Sequence, residues 1–170
     1  MSELFLRSLR ASLFNRRAHD EVRYEHDATG DAALIVIAVT ATTYLIRFFV
    51  TSGFNVSNLV LGLIQSSISG LAQWLFLGLA TWFVGTRLFG GEGDIQMVLR
   101  THGLVYLPLL LAVFGTMAAV VAQVWLLAAA AVATSEALSF DTKKGVFSVL
   151  TGAAILFVIG LIFRAPFFGI

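Results

Sequence analysis

The sequence predicts an all-α fold: an integral membrane helical bundle with five transmembrane helices, four being the alternative, and a short interfacial helix at the N-terminus. Three observations lead there. The 170 residues are 58% hydrophobic and 12% charged, whereas a soluble domain carries about 25% charged residues. The apolar residues gather into blocks of the length that crosses a bilayer, about 20 residues at a rise of roughly 1.5 Å each. The basic residues fall mostly where a chain crossing five times would return to one side.

Residues 1–30 read as a cytoplasmic arm and residues 31–170 as the transmembrane domain. Within the arm, LFLRSLRASLFNRR sets Phe5, Leu6, Leu9 and Leu13 on one helical face, with Arg7, Arg10 and Arg17 beside it. Such a helix lies in the headgroup layer, and Arg7, Arg10, Arg16 and Arg17 are its candidate contacts to anionic lipid. The arm lacks the unbroken apolar run of a cleaved secretory signal, so it is expected to be retained.

Spans are expected at about 32–50, 68–89, 103–117, 119–138 and 146–163. An interfacial segment is expected ahead of the second, where Gln65, Ser66, Ser67 and Ser69 dilute the apolar block. The block from Leu104 to Leu138 is divided because one helix of that length would run about 52 Å. Gly115 and Thr116 are the weak points at which it turns. With five passes, the arm, the loop at 87–101 and the loop at 139–145 share a side. They hold Arg7, Arg10, Arg16, Arg17, Arg23, Arg87, Arg100, Lys143 and Lys144, nine of the eleven basic residues. The excess of Lys and Arg on cytoplasmic loops then puts the N-terminus in the cytoplasm and the C-terminus outside.

Several chemistries drop out. A net charge of +1 gives no bulk attraction for nucleic acid, so none is expected as a partner. With no cysteine there are no disulfides, thiolate nucleophiles or Cys-ligated metals. No Asp, Glu, Lys or His falls at the middle of a predicted span, where proton relays and coupled transport place them. Gln73 and Gln123 are the deepest amides and are expected to bond between helices. His19, Arg23 and His26 follow an i, i+4, i+7 spacing that would bring two imidazoles to one face with a cation between them. That is a weak metal pair, and a solvated linker is the favoured reading. His102 is expected to be an interfacial polar residue, and Trp74, Trp82 and Trp125 to be interface anchors. No cofactor, metal or catalytic set is expected.

The stretch GGEGD at 90–94 invites a phosphate-loop reading, but a nucleotide loop needs Lys followed by Ser or Thr at the helix entry. The expected role is a turn. Gly90, Gly91 and Gly93 would supply positive φ to end one helix, and Asp94 would cap the next. Ile95, Val98 and Leu99 then share a face while Gln96 and Arg100 face elsewhere, so this helix is expected to begin at the headgroups before entering the bilayer. Pro108 lacks a backbone donor, so the Leu104 carbonyl loses its hydrogen bond and the third span bends. Gly62, Ser66 and Gly70, and again Ser148 and Gly152, recur at the spacing that lets helices pack closely in lipid.

The order of these features resembles the YIP family of Ypt-interacting membrane proteins over roughly residues 55–163. The matching pieces are the glycine turn VGTRLFGGEGD, the proline of YLP, the tryptophan of QVWLL and the polar loop DTKKG. The resemblance implies a five-span helical bundle with a cytoplasmic N-terminal region and no known catalytic activity. Eukaryotic relatives are associated with vesicle trafficking and Rab-type GTPases. The DLYGP signature of those relatives is missing before the first span, which points to the bacterial type and an inner membrane. The expected function is therefore non-enzymatic organisation of the bilayer, of a membrane-protein partner or of a homo-oligomer. The alternative is a small transporter, channel or lipid-handling protein with a path around Pro108, Gln73 and Gln123.

Overall fold

The computed structural model describes residues 2–23, 28–51 and 56–163. Among these residues there are seven α-helices and one 3-10 helix, with no strand. The helices are α1 (Ser2–Ser12), α2 (Arg16–Arg23), α3 (Ala28–Thr51), α4 (Val56–Phe89), α5 (Ile95–Leu104), the 3-10 helix Leu107–Phe114, α6 (Thr116–Ala137) and α7 (Thr142–Phe163). Four of them, α3, α4, α6 and α7, are long and apolar enough to cross a membrane. A fifth path is broken, because α5 and the 3-10 helix meet at a bend of 42°.

The bundle is apolar on the outside as well as the inside. Leu61, Val124 and Leu161 expose more than half of their surface, an arrangement that water penalises and lipid does not. The interior is built from small side chains. Ala129, Ala130, Ala131, Ala133 and Ala137 of α6 are buried almost completely, so neighbouring backbones come close where packing alone drives association. Gly62 faces Tyr44 and Gly70 faces Thr40 across α3 and α4, with Ser66 half-buried on the same helix. Gly152 meets Thr81, and Ser148 lies beside Gly85, where α7 crosses α4. These small-residue faces therefore meet within one chain.

One end of the bundle is stitched together by the glycine turn. Asp94 accepts a hydrogen bond from the Met97 amide at 2.8 Å and caps α5. Glu92 N–H donates to the Leu138 carbonyl at 3.0 Å, joining the turn to the end of α6. Only Gly90 of the three glycines has positive φ, +66°. Gly91 and Gly93 serve close approach instead. A Cβ on Gly93 would fall 2.5 Å from the Ala137 carbonyl oxygen, and one on Gly91 would meet Leu138 and Phe140. The expectation of positive φ at all three is corrected on that ground.

Two boundaries also differ from expectation. The helix α4 is continuous from Val56, so no separate interfacial segment precedes the second span. Its serines do not break it because their hydroxyls can bond back to the helix, as Ser66 does to the Leu63 carbonyl at 3.0 Å. The third span is not an α-helix over 103–117. The turn at 90–94 is bonded to Leu138, and Gly115 (φ +109°) precedes Thr116 at the other end of α6. The segment between them thus runs the length of α6, for which α5 and the 3-10 helix provide about 31 Å of rise. The break follows from Pro108, which cannot continue the hydrogen-bond ladder.

Close approach at the break gives a direct prediction. A Cβ on Gly103 would fall 2.4 Å from the Ala32 Cβ and 2.9 Å from its Cα. Gly103→Ala should destabilise the protein by about 1–3 kcal/mol, as overpacking does. Gly30→Ala, where a Cβ meets nothing within 4 Å, should be neutral or stabilising by about 0.5–1 kcal/mol. Thermal unfolding of both variants in detergent checks the pair.

Candidate functional site

In an apolar solvent a backbone carbonyl without a donor is costly, and Pro108 leaves one at Leu104. The N-terminal arm supplies the missing donors. Ser8 Oγ donates to the Leu104 carbonyl oxygen at 2.5 Å, and Ser12 Oγ reaches the same atom at 3.4 Å. Ser8, Ala11 and Ser12, spaced on one side of α1, form its buried face. Their small size lets α1 approach the break. The bond is returned at the end of α1, where the Ser12 carbonyl, an orphan of the helix terminus, accepts from Trp125 Nε1 at 2.8 Å.

This orientation leaves the apolar side of α1 outward. Phe5, Leu6, Leu9 and Leu13 are 40–56% exposed. Arg10 and Arg17 are exposed and Arg7 is half-buried. Arg16 is drawn to the bundle, with Nη1 at 3.1 Å from Glu136 and Nη2 donating to Thr142 Oγ1 at 2.9 Å. This ion pair is partly exposed and contributes about 0–1 kcal/mol. It nevertheless places the start of α2 at the end of the bundle that carries the 90–94 turn.

Behind the arm lies a buried polar cluster. His102 Nε2 is 2.8 Å from Thr134 Oγ1, and the Thr134 hydroxyl donates to the Ala130 carbonyl at 2.7 Å. With its one proton so placed, Thr134 accepts, which assigns the imidazole proton to Nε2. His19 of α2 is fully buried, and neither of its ring nitrogens has a hydrogen-bond partner among the described residues. The expected interfacial place for His102 is thus corrected: the side of α5 that carries it faces α2 and α6. His19 is paired by the fold with His102. His26 lies outside the described residues, and no group of three His, Asp or Glu suited to a metal ion occurs among those described.

Arg100 is also interior. Its Nε donates to Thr29 Oγ1 at 2.9 Å and its Nη2 to Gln96 Oε1 at 2.8 Å, tying α5 to the start of α3. These oxygens accept from two of the guanidinium donors, which burial would otherwise leave costly. The tryptophans act as ties. Trp74 Nε1 donates to the Leu99 carbonyl at 2.9 Å, and Trp82 Nε1 to the Gly93 carbonyl at 3.0 Å. An indole N–H away from water needs such an acceptor. Gln123 Nε2 and the Tyr106 hydroxyl are buried with no partner among the described residues.

The arm, the glycine turn and the broken third span together form a bundle of the kind the sequence resembles. A family model described as the Yip1 domain matches residues 10–164. The chain belongs to the Yip1 domain family. Comparison with curated proteins and with solved structures gives no match. The contacts of Ser8, just ahead of the matched Yip1 domain, and of Ser12 at its start were not anticipated from sequence. The usable signal is the i, i+4 serine pair in a helix whose other faces are apolar and basic, together with a carbonyl freed by proline.

Docking of the arm should depend on pH through His19. Burial is the larger influence and lowers its pKa from 6.5 to about 4, outweighing the nearby Ala11 carbonyl, which favours the protonated ring. The undocked arm therefore takes up the proton first. Docking is full above about pH 6.5 and is lost as the pH falls toward 4, with at most about 3 kcal/mol at stake. A nitroxide on Arg17→Cys should gain mobility across that window. In the His19→Leu background its mobility should stay constant down to pH 4.5 or so.

Proposed function

We propose that this Yip1-domain protein is a non-enzymatic organiser of the bilayer and its associated proteins, acting from the side that carries its N-terminal arm. The carrying observation is the inverted packing of α1: small serine and alanine side chains turn inward, while Phe5, Leu6, Leu9 and Leu13 remain outward beside arginines. A soluble arm would bury those four residues. An arm set in the headgroup layer buries them in acyl chains, and each nearby arginine gains about 1 kcal/mol from an anionic surface.

The arm, the 90–94 turn and the loop after Leu138 form the contact surface for lipid headgroups and for a membrane-protein partner or second copy. The distribution of Lys and Arg supports a cytoplasmic position for this surface and the opposite side for the C-terminus, with the bent segment read as the third of five crossings. The missing DLYGP signature favours a bacterial inner membrane.

Single cysteines in this cysteine-free chain test the reading. In nanodiscs, a bimane on Leu6→Cys should be quenched by brominated lipid, and one on Arg10→Cys by aqueous iodide. In oriented vesicles, Glu92→Cys and Thr142→Cys should react from one side, and Ser57→Cys and Met117→Cys from the other. Reaction of positions 92 and 142 from opposite sides would refute the five-pass arrangement. Quenching of position 6 by iodide alone would remove α1 from the membrane.

A further inference from the structure

We propose that the recess between α1, the 3-10 helix and α6 binds an acyl chain of a bilayer phospholipid. The recess has a volume of about 280 Å3. Its walls are Leu9 and Leu13 of α1, Leu107, Pro108 and Leu111 of the 3-10 helix, and Trp125 of α6, and they are almost wholly carbon.

Water is a poor occupant. An engineered apolar cavity of about 150 Å3 stays dry and takes up benzene, and this recess is nearly twice that size, with the one hydroxyl among its lining residues, that of Ser12, directed to the Leu104 carbonyl. Its emptiness would forfeit dispersion contacts on every wall. Nor can the recess close on itself. The Ser8 and Ser12 bonds to Leu104 and the Trp125 bond to Ser12 hold α1 in place. Shifting α1 onto the 3-10 helix would break them and strand the Leu104 carbonyl again.

Position selects the guest. Leu6, Leu9 and Leu13 form the outward edge of α1. Arg10 follows Leu9 and stands about 100° round the helix from it, away from the recess. With Arg10 at phosphate level, the recess opens at the depth of the acyl chains, whose slender form fits between two helices. This rests on the reading of α1 as bilayer-facing.

The full chain in nanodiscs of phosphatidylcholine and phosphatidylglycerol, doped with a phospholipid bearing a diazirine midway along one acyl chain, provides the test. Adducts are mapped to residues by mass spectrometry after irradiation. Adducts at Leu107, Leu111 and Leu9 should exceed those at the exposed α7 residues Val158 and Leu161 by roughly tenfold. Leu111→Trp, which fills the recess, should abolish that excess and leave the α7 adducts unchanged. Equal labelling of recess and α7 in the unmodified chain would overturn the proposal, whether or not the variant folds. So would an excess that survives Leu111→Trp in a folded protein, or cross-links from recess residues to a second polypeptide. Leu6 separates the two levels of inference. Label at Leu6 without recess enrichment defeats the acyl-chain site alone, whereas label at neither defeats the placement of α1 as well.

Discussion

The carbonyl of Leu104 is the point on which the rest of this structure depends. Proline at 108 withdraws the amide that would have satisfied it, and the surrounding solvent offers no substitute. The serine hydroxyls of α1 fill the gap, so a segment outside the predicted spans becomes part of the broken third span. From that contact follow the inward small face of α1, the outward apolar edge and the link through Trp125 to α6. The arm is thus a cap for a helix interrupted in mid-path. Capping in this sense is the usual satisfaction of orphan backbone groups, carried out over 96 residues of sequence separation.

The same constraint explains why every tryptophan donates to a backbone carbonyl and why buried Arg100 donates to Thr29 and Gln96. Where lipid is the solvent, apolar burial discriminates weakly between inside and outside, and polar satisfaction together with close packing decides the arrangement. Alanine-rich α6 lies at the centre for the second reason, since its thin side chains let six neighbouring elements reach it. The glycines at 91 and 93 serve the same purpose at the end of the bundle, where a larger side chain would push the turn away from Leu138.

Legibility in the sequence divides along that line. The helical class, the integral membrane character, the turn at Gly115 and the family were readable, because length, hydropathy and helix-breaking residues are local signals. The lost bond at Leu104 was readable too, since it follows from Pro108 alone. What replaced it was not, because Ser8 and Ser12 are brought there by tertiary packing. His102 was misplaced for a related reason: a residue near a predicted membrane boundary looks interfacial until a neighbouring element covers it. Here α2, a short helix of mostly polar sequence, covers His102, and its own His19 is buried in doing so.

These contacts couple the arm to the bundle in both directions. Release of α1 would expose the Leu104 and Ser12 carbonyls together, and in a poorly hydrated setting each unpaired group costs about 1–3 kcal/mol. Release of α2 would uncover His19 and His102 and surrender the Arg16 contacts at the far end of α6. Neither helix is long enough to persist alone, since isolated helices under about 12–15 residues are marginal. Any influence that favours the undocked arm, whether protonation or a competing surface, therefore acts also on the bent segment beneath it. In a chain with few ionisable groups in its spans, the link between the arm and the bent segment thus rests on two neutral hydrogen bonds and the Trp125 contact.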